Sequence, residues 1–306
     1  RSCASTHRPP AFRWRGLTAA AAAGTEDTAD SHPPSILLVS DLDGTMVGDD
    51  EATAAFTDYW LSRRAMAPGN AEDADDGSPS SSSLCYSTGR TLEQYLDLKG
   101  ANAFLCEPDF LICAVGTRVY ERVGEDGEWM EVGGWAAQLG DGWCTDAARE
   151  SAEGLISLFG ESRVHMRPPH EQNAHKVTCG VRSEIVDECC ASVNQALARS
   201  QVKAKLVYSG SGDWKYLDIL PARGGKLESL DFLRQRLGFS RANTITAGDS
   251  GNDIAMMEGD HCSIIVGNAQ SDLTDWYAQR GAPNVVKAES SHARGILEGL
   301  HSFNLY

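Results

Sequence analysis

Long apolar runs are missing from this sequence of 306 residues. No segment approaches the roughly 18 consecutive apolar residues that a membrane-spanning helix requires, so we expect no membrane association. Proline is scarce, at 11 residues, and glycine, at 30, is ordinary, which excludes a collagen-like or low-complexity chain. With 42% hydrophobic and 23% charged residues, the sequence predicts a soluble globular protein of one large or two moderate domains.

Cysteine pairs of the metal-binding type are also absent. The nine cysteines are an odd number and include no Cys-X-X-Cys pair. This argues against a disulfide framework or a zinc site, and we expect free thiols in a reducing compartment.

Positive charge is in short supply. Lysine and arginine total 27 against 43 acidic residues, which gives a net charge of −16. The first 25 residues hold four arginines and no acid, so the rest of the chain carries −20. Such a chain repels nucleic acid. It also repels phosphorylated ligands, so a phosphate site would need local positive charge from a metal ion, a lysine or helix N-termini.

Two polar segments are expected to lie outside the folded core. Residues 1–34 are basic and then polar, and they resemble an organellar transit segment or an unstructured tail. We therefore expect a cytoplasmic protein, or a plastid protein if this segment is a targeting signal. Residues 67–83 are acidic and rich in Ser and Gly, which predicts a flexible surface insertion.

Alternating strands and helices predict an α/β fold. Short apolar strands are expected at 36–40, 84–87 and 110–115, with helices between them, and the alternation resumes after about residue 216. This pattern implies a parallel sheet with right-handed crossovers. The stretch 117–215 differs, because it reads as a hairpin, two helices and further strands, and it predicts an inserted α+β unit.

Two carboxylates directly follow the first predicted strand. Asp41 and Asp43 lie in the sequence DLDGT, at the end of the strand where open parallel sheets bind ligands. Two acids at such a place can divide the work of nucleophile and general acid/base. An Asp-rich turn is the structural alternative.

A second acidic loop, GDSGND at 248–253, follows the apolar strand at 244–247. Oxygen ligands on a tight glycine turn suit Mg²⁺, which takes one or two carboxylates and keeps its other positions for water and phosphate. Helix capping by Asp, Ser and Asn is the alternative.

Two further segments could bind an anion. Thr88 and Gly89 precede a predicted helix, where a hydroxyl and free backbone N–H groups form an anion cradle. Lys226 follows two glycines at the start of another helix. A Ser/Thr helix cap and a surface lysine are the ordinary alternatives.

Together these segments resemble the four motifs of the haloacid dehalogenase superfamily of phosphatases, residue by residue: DLDGT at 41–45, STGR at 87–90, Lys226 and GDSGND at 248–253. The resemblance implies a Rossmann-like haloacid dehalogenase core with a parallel sheet, plus an inserted α+β cap domain. The core would comprise residues 35–116 and 216–306, and the cap residues 117–215.

The resemblance also implies roles. Asp41 would attack phosphorus to form an aspartyl-phosphate, and Asp43 would protonate the departing oxygen and then activate water. Mg²⁺ would be held by Asp41, the backbone carbonyl of Asp43 and Asp249. The expected phosphate-binding residues are Thr88, Gly89, Lys226, Asn252 and Asp253, with Lys226 also counted as catalytic.

A narrower resemblance covers most of the chain, from about residue 36 to 306. Several short segments are similar to those of sucrose-phosphate phosphatases of cyanobacteria and plants. They lie at 47–49, 107–109, 114–117, 171–173, 217–221, 268–270 and 290–293. The resemblance implies Mg²⁺-dependent hydrolysis of sucrose 6-phosphate to sucrose and phosphate, the last step of sucrose synthesis.

Polar residues of the inserted unit are candidates for binding the sugar, because disaccharide hydroxyls are bound by amides, carboxylates, lysines and aromatic rings. The candidates are Gln172, Asn173, His175, Lys176, Tyr208, Ser209 and Asp213. The stretch 209–216 is longer than in the family. A solvated polar surface is the alternative for each of these residues.

Three other functions stay open. The chain could be a related capped phosphatase acting on glucosylglycerol phosphate, mannosylglycerate phosphate, trehalose phosphate or a hexose phosphate. It could be a noncatalytic phosphatase-like module of a sucrose-phosphate synthase, the protein partner that the resemblance suggests. Transfer of the phosphoryl group between sugar hydroxyls would use the same intermediate. The expected ligand in each case is a small sugar phosphate.

Overall fold

Uniformly apolar segments form the parallel centre of a large sheet in the computed structural model, which describes residues 34–66, 79, 81–124, 126–210, 212–281 and 283–305. The parallel strands are β1 (Leu37–Ser40), β2 (Ser83–Ser87), β3 (Phe110–Cys113), β10 (Thr244–Gly248), β11 (Cys262–Ile265) and β12 (Val285–Lys287). Every residue of β1, β3, β10 and β11 is buried. Strands buried on both faces lose the apolar–polar alternation of exposed sheets, which explains their continuous apolar sequences.

The hairpin of β4 (Arg118–Val123) and β5 (Glu128–Glu131) completes this sheet, whose strand order is β12-β11-β10-β1-β2-β3-β4-β5. β4 pairs with β3 in the antiparallel sense.

Helices cover the large sheet. They are α1 (Asp50–Ala65), α2 (Leu92–Ala101), α3 (Trp135–Leu139), α6 (Lys226–Arg236), α7 (Ile254–Met257), α8 (Ser271–Arg280) and α9 (His292–Ser302). Local sequence sets their starts. The Asp49 side chain accepts a hydrogen bond from the backbone N–H of Ala52, and Thr91 and Gln94 form a reciprocal capping box at α2.

A second sheet, of four antiparallel strands, lies within the inserted unit. Its strands are β6 (Val164–Met166), β7 (Val177–Arg182), β8 (Ala204–Ser209) and β9 (Trp214–Pro221), in the order β6-β7-β9-β8. Alternate residues of β7 and β9 pack against α4 (Thr145–Phe159) and α5 (Val186–Arg199) in a separate apolar core. The intervening residues of both strands face the other side. One face of this sheet is therefore available to line a binding site.

The predicted fold class is confirmed, but two elements lie elsewhere than the sequence indicated. The hairpin at 117–132, expected to open the inserted unit, extends the large sheet instead. Its outer strand, β5, carries Glu128 and Glu131 at the exposed edge of the sheet, and charged side chains of this kind suit an edge strand. At the other end β9 runs to Pro221, so the small sheet continues past the expected limit at residue 215.

Some predictions cannot be compared with the structure. The tail at 1–34 and the insertion at 67–83 lie almost wholly outside the described residues. In the described part, no helix is long and apolar enough to cross a membrane. The eight cysteines placed there are all free thiols.

A buried histidine gives the fold an expected sensitivity to acid. His261 is fully buried, with Nε2 3.5 Å from Oδ1 of Asp231, and burial lowers its pKa below the usual 6.5 despite that carboxylate. The imidazole of His261 takes up a proton more readily in the unfolded chain than in the folded one. The stability that the neutral side chain contributes is therefore fully present above pH 6.5 and is lost as the pH falls below that value. We expect a loss of up to about 1.4 kcal/mol per pH unit.

Urea unfolding between pH 7.5 and 5.5 checks this expectation. His261→Leu should show a shallower acid loss than the parent, whereas His170→Leu, at an exposed histidine, should follow the parent. Equal slopes for the parent and His261→Leu would contradict the assignment.

Candidate active site

Four predicted segments meet at one edge of the large sheet. Asp41 follows β1, Thr88 follows β2, and Asp249 follows β10, and these three strands are parallel neighbours. The carboxyl ends of parallel neighbours lie side by side, so residues far apart in sequence come together there. Lys226, the first residue of α6, reaches the same point.

A buried lysine joins two of the acids. The Nζ atom of Lys226 donates to Oδ1 of Asp41 at 2.7 Å and to Oδ1 of Asp253 at 2.7 Å, with Oδ1 of Asn252 at 3.3 Å. Burial alone would lower the pKa of Lys226, but the attraction of Asp253 and Asp41 outweighs burial and raises it. Lys226 is therefore a permanent positive charge in this site.

The neighbouring acids carry more negative charge than one lysine can balance. Burial, together with Asp253 and Asp249, raises the pKa of Asp41 well above its usual value, although Lys226 opposes the shift. Burial and Asp253 raise the pKa of Asp249 to about 6. Both shifts mean that added positive charge at this point would stabilise the ionised carboxylates.

Three of these acids could hold a metal ion. Carboxylate oxygens of Asp41, Asp249 and Asp253 lie within 4.8 Å of one another. Oxygen donors of this kind suit Mg²⁺, and the three carboxylates with one ammonium leave two negative charges, which a divalent cation would neutralise. Oδ2 of Asp253 also accepts hydrogen bonds from the backbone N–H groups of Asp249 and Ser250, so Asp253 braces the loop.

Asp43 lies apart from this buried group. Its side chain is about half exposed and forms a two-point ion pair with Arg90, at 2.8 Å from Nε and 2.6 Å from Nη2. Our site prediction did not include Arg90, although it ends the same STGR segment that supplied Thr88. The hydroxyl oxygen of Thr88, which is buried, accepts a hydrogen bond from the backbone N–H of Arg90, and Gly89 is exposed.

A cavity of about 380 Å³ opens above these residues, and its wall comes from both sheets. Its lining on the large-sheet side is Asp41, Asp43, Thr88, Gly89, Arg90, Gln94, Val115, Ser250, Asn252 and Gln270. Its lining from the inserted unit is Arg167, Glu171, Lys176, Ser209, Gly210, Tyr216 and Asp218.

Of the seven predicted sugar-binding residues, the structure brings Lys176 and Ser209 into the cavity. Lys176 is nearly buried and lies 3.3 Å from Oδ1 of Asp218.

The other five predicted residues lie outside the cavity lining. The side chain of Gln172 hydrogen-bonds the backbone of Arg167 and Thr178, and Asn173 bonds Thr117 and the backbone of His175. These amides hold the loop before β7 in place. His175 is half-buried, and burial lowers its pKa. Tyr208 and Asp213 are exposed.

Sequence reasoning missed most of the cavity lining that the inserted unit supplies. Arg167 forms a two-point ion pair with Glu171, and its guanidinium lies 4.8 Å from the ring centre of Tyr216. The signal that could have identified Tyr216 and Asp218 is their alternation in β9 with Leu217 and Ile219, which pack into the core.

A second cavity, of about 490 Å³, adjoins the first on the open face of the small sheet. It shares Arg167, Gly210 and Tyr216 with the first cavity and adds His165, Gly180, Trp214 and Lys215. The two cavities together could accommodate a ligand with more than one ring.

Comparisons with known proteins agree with this architecture. The family model for sucrose-6F-phosphate phosphohydrolase matches residues 34–304. Sucrose-phosphatase 1 of Nicotiana tabacum is 31% identical over 277 residues, which cover 88% of this chain and 59% of that protein. The chain thus spans about three fifths of the length of such plant relatives. Mannosylfructose-phosphate phosphatase of Agrobacterium fabrum is 29% identical, over 89% of this chain and 98% of the relative.

Solved structures show the same architecture. The sucrose-phosphatase of Synechocystis sp. PCC6803, in complex with sucrose and phosphate, is 30% identical, with a TM-score of 0.73, covering 89% of this chain and 98% of that one. The yhjK haloacid dehalogenase-like hydrolase of Bacillus subtilis shares the fold at 16% identity and a TM-score of 0.60.

Proposed function

Because the chain belongs to the sucrose-6F-phosphate phosphohydrolase family, we propose that it hydrolyses sucrose 6-phosphate to sucrose and inorganic phosphate. The observation that carries the proposal is the buried group of Asp41, Lys226, Asp249 and Asp253, from which Asp41 lines a cavity that residues of the small sheet also line. A site closed in this way favours a small phosphorylated metabolite over a phosphoprotein.

In the proposed reaction a carboxylate oxygen of Asp41 attacks phosphorus and the bond to the sugar oxygen breaks. Asp43 gives a proton to that oxygen, so sucrose leaves as an alcohol and Asp41 carries the phosphoryl group. Asp43 then takes a proton from water, whose oxygen attacks the same phosphorus, and the bond between phosphorus and the Asp41 oxygen breaks, which releases phosphate and restores the Asp41 carboxylate. Asp43 lines the same cavity as Asp41, which supports this double role, and Arg90, which holds both of its carboxylate oxygens, must release at least one of them for the proton transfer.

The other residues stabilise charge. Lys226 holds Oδ1 of Asp41 and supplies positive charge beside the phosphoryl oxygens, and the hydroxyl of Thr88 and the backbone N–H of Gly89, two residues that line the cavity, add donors. We propose that Mg²⁺ is the cofactor, held by Asp41, Asp249 and the backbone carbonyl of Asp43, where it would offset the negative charge of substrate and carboxylates. Asp253 and Asn252 also bind Nζ of Lys226 and so fix its position.

Phosphate release across a panel of sugar phosphates tests the proposal. The panel contains sucrose 6-phosphate, mannosylfructose phosphate, trehalose 6-phosphate, glucosylglycerol phosphate and glucose 6-phosphate, each with Mg²⁺ and with chelator. We expect metal-dependent release with a preference of tenfold or more for sucrose 6-phosphate. Preference for mannosylfructose phosphate would favour the second candidate, which the full-length similarity to the Agrobacterium fabrum phosphatase supports. No release from any sugar phosphate would contradict both.

Tyr216 should contribute to sugar recognition, because it lines both cavities. Tyr216→Ala should raise the KM for sucrose 6-phosphate roughly tenfold, because the loss of a stacking contact costs about 1.4 kcal/mol. Hydrolysis of p-nitrophenyl phosphate should change little. Tyr208→Ala is the matched control, because Tyr208 is similarly exposed, at 49% against 42%, but pairs with Leu217 and lies outside both cavities. Equal effects of the two variants on KM would contradict the assignment.

The family also suggests a cellular location and a protein partner, which we include in the proposal. We place the protein in the cytoplasm, or in a plastid if residues 1–34 are a targeting signal, and we propose a sucrose-phosphate synthase as a partner. Cell fractionation and co-purification test these two points.

A further inference from the structure

The backbone carbonyl of Gly44 is held by two side chains from a distant part of the chain. Nδ2 of Asn268 donates to this oxygen at 2.7 Å, and Nδ1 of His292 lies 3.0 Å from it. The tautomer that carries its proton on Nδ1 donates a hydrogen bond to this oxygen. Oδ1 of Asn268 in turn accepts the backbone N–H of His292 at 2.8 Å. Asn268 and His292 therefore form a clamp on the loop that carries Asp41 and Asp43.

His292, which makes this contact, has a strained backbone conformation. Its φ is +53°, in the left-handed region that a residue with a side chain seldom adopts. Its ring fills the space above Gly48, where a Cβ atom would come within 2.5 Å of the ring. A strained residue of this kind persists where surrounding contacts hold it in place, and such positions concentrate at functional sites.

The loop that contains Gly44 is in direct contact with the second acidic loop, at 248–253. Oγ1 of Thr45 donates to Oδ1 of Asp249 at 3.1 Å, and a Cβ atom at Gly44 would lie 2.6 Å from Oδ2 of Asp249. From the other side, the backbone N–H of Gln270, two residues after Asn268, donates to the backbone carbonyl of Asp249 at 2.7 Å. One short segment thus contacts both loops.

We propose that Asn268 and His292 are positioning residues that fix the separation of the Asp41 and Asp249 carboxylates, and that this separation sets the affinity of the site for a divalent cation. The proposal rests on the proposed function only in assigning a cation to these two acids. Mg²⁺ tolerates little departure from its preferred geometry, so a small shift of the Gly44 loop would weaken binding. Groups that orient metal ligands commonly change affinity by about 10- to 100-fold when removed.

Two substitutions at one position separate the hydrogen bond from the backbone strain. His292→Gly accepts the positive φ but has no donor, whereas His292→Asn also accepts it and carries Nδ2 in the place of Nδ1. Calorimetric titration of the substrate-free protein with Mg²⁺ gives the affinity, and a thermal melt gives the stability. We expect His292→Gly and Asn268→Ala to bind Mg²⁺ at least about tenfold more weakly, and His292→Asn to stay within about threefold of the parent.

Stability and turnover provide the further readouts. His292→Gly should keep its maximal rate of phosphate release within about threefold once Mg²⁺ is saturating, because the residue touches no reacting atom. Parent-like Mg²⁺ affinity in His292→Gly and Asn268→Ala would overturn the proposal. Equal weakening in His292→Gly and His292→Asn would also overturn it, because ring packing rather than the donor would then be responsible.

This test is separate from the test of the proposed function. Magnesium binding by the parent needs no sugar phosphate, so the clamp can be supported even if every substrate in the panel fails. A parent that binds no Mg²⁺ would overturn the clamp proposal itself.

Discussion

Replacing Asp41 with asparagine should reduce phosphate release from sucrose 6-phosphate by at least about a thousandfold. The amide has nearly the shape of the carboxylate but cannot displace the sugar oxygen from phosphorus, so no aspartyl-phosphate forms. Because burial and like charges raise the pKa of Asp41, a neutral side chain is better suited to the metal-free site. We therefore expect Asp41→Asn to fold with a melting temperature at or above that of the parent.

Steady-state phosphate release and acid-quench trapping of labelled phosphoprotein measure this effect. The parent should yield a trapped phosphoprotein and Asp41→Asn should not. Asp58→Asn is the control, because Asp58 is an exposed aspartate of α1 that lies outside the four motifs and outside the cavity lining. Activity of Asp41→Asn within tenfold of the parent would contradict the covalent mechanism.

Replacing Lys226 with methionine should affect both turnover and stability. Methionine fills a similar volume but breaks two buried ion pairs and leaves three neighbouring carboxylates without their ammonium. We expect the free energy of unfolding without metal to fall by about 3–5 kcal/mol. Turnover should fall by about 10²- to 10⁴-fold, because a fixed charge beside the phosphoryl oxygens is lost.

Urea unfolding with and without Mg²⁺ measures the stability effect, and Mg²⁺ should restore part of the loss. The matched control is Lys205→Met, because Lys205 bonds Glu228 at 2.6 Å but is partly exposed. An exposed ion pair contributes about 0–1 kcal/mol, so the two variants should differ by several kcal/mol. Equal losses in Lys226→Met and Lys205→Met would contradict the buried-charge interpretation.

The sequence predicted the parts of the protein that local pattern determines. Each of the apolar strands β1 and β10 is followed directly in sequence by its acids. The structure brings the two groups of acids together, as expected. The family resemblance and the fold class are confirmed.

Contacts between distant segments could not be predicted in this way. The two-point bond of Arg90 to Asp43 depends on how β2 lies beside β1, and the stacking of Arg167 on Tyr216 depends on which face of the small sheet closes the cavity. Gln172 is polar, as a sugar-binding residue would be, but its amide bonds the backbone of Arg167 and of Thr178 in β7. Polarity alone does not separate these two uses.

The position of β1 between β2 and β10 has a consequence during synthesis. β1 is made early, but its partner β10 begins at Thr244, about 200 residues later, so at about 5–20 residues per second β1 keeps one unpaired edge for some 10–40 seconds on the ribosome. An apolar strand with an open edge is a site for aggregation. The nascent chain should therefore depend on chaperone protection until β10 emerges, even though the small sheet and its own core can form earlier.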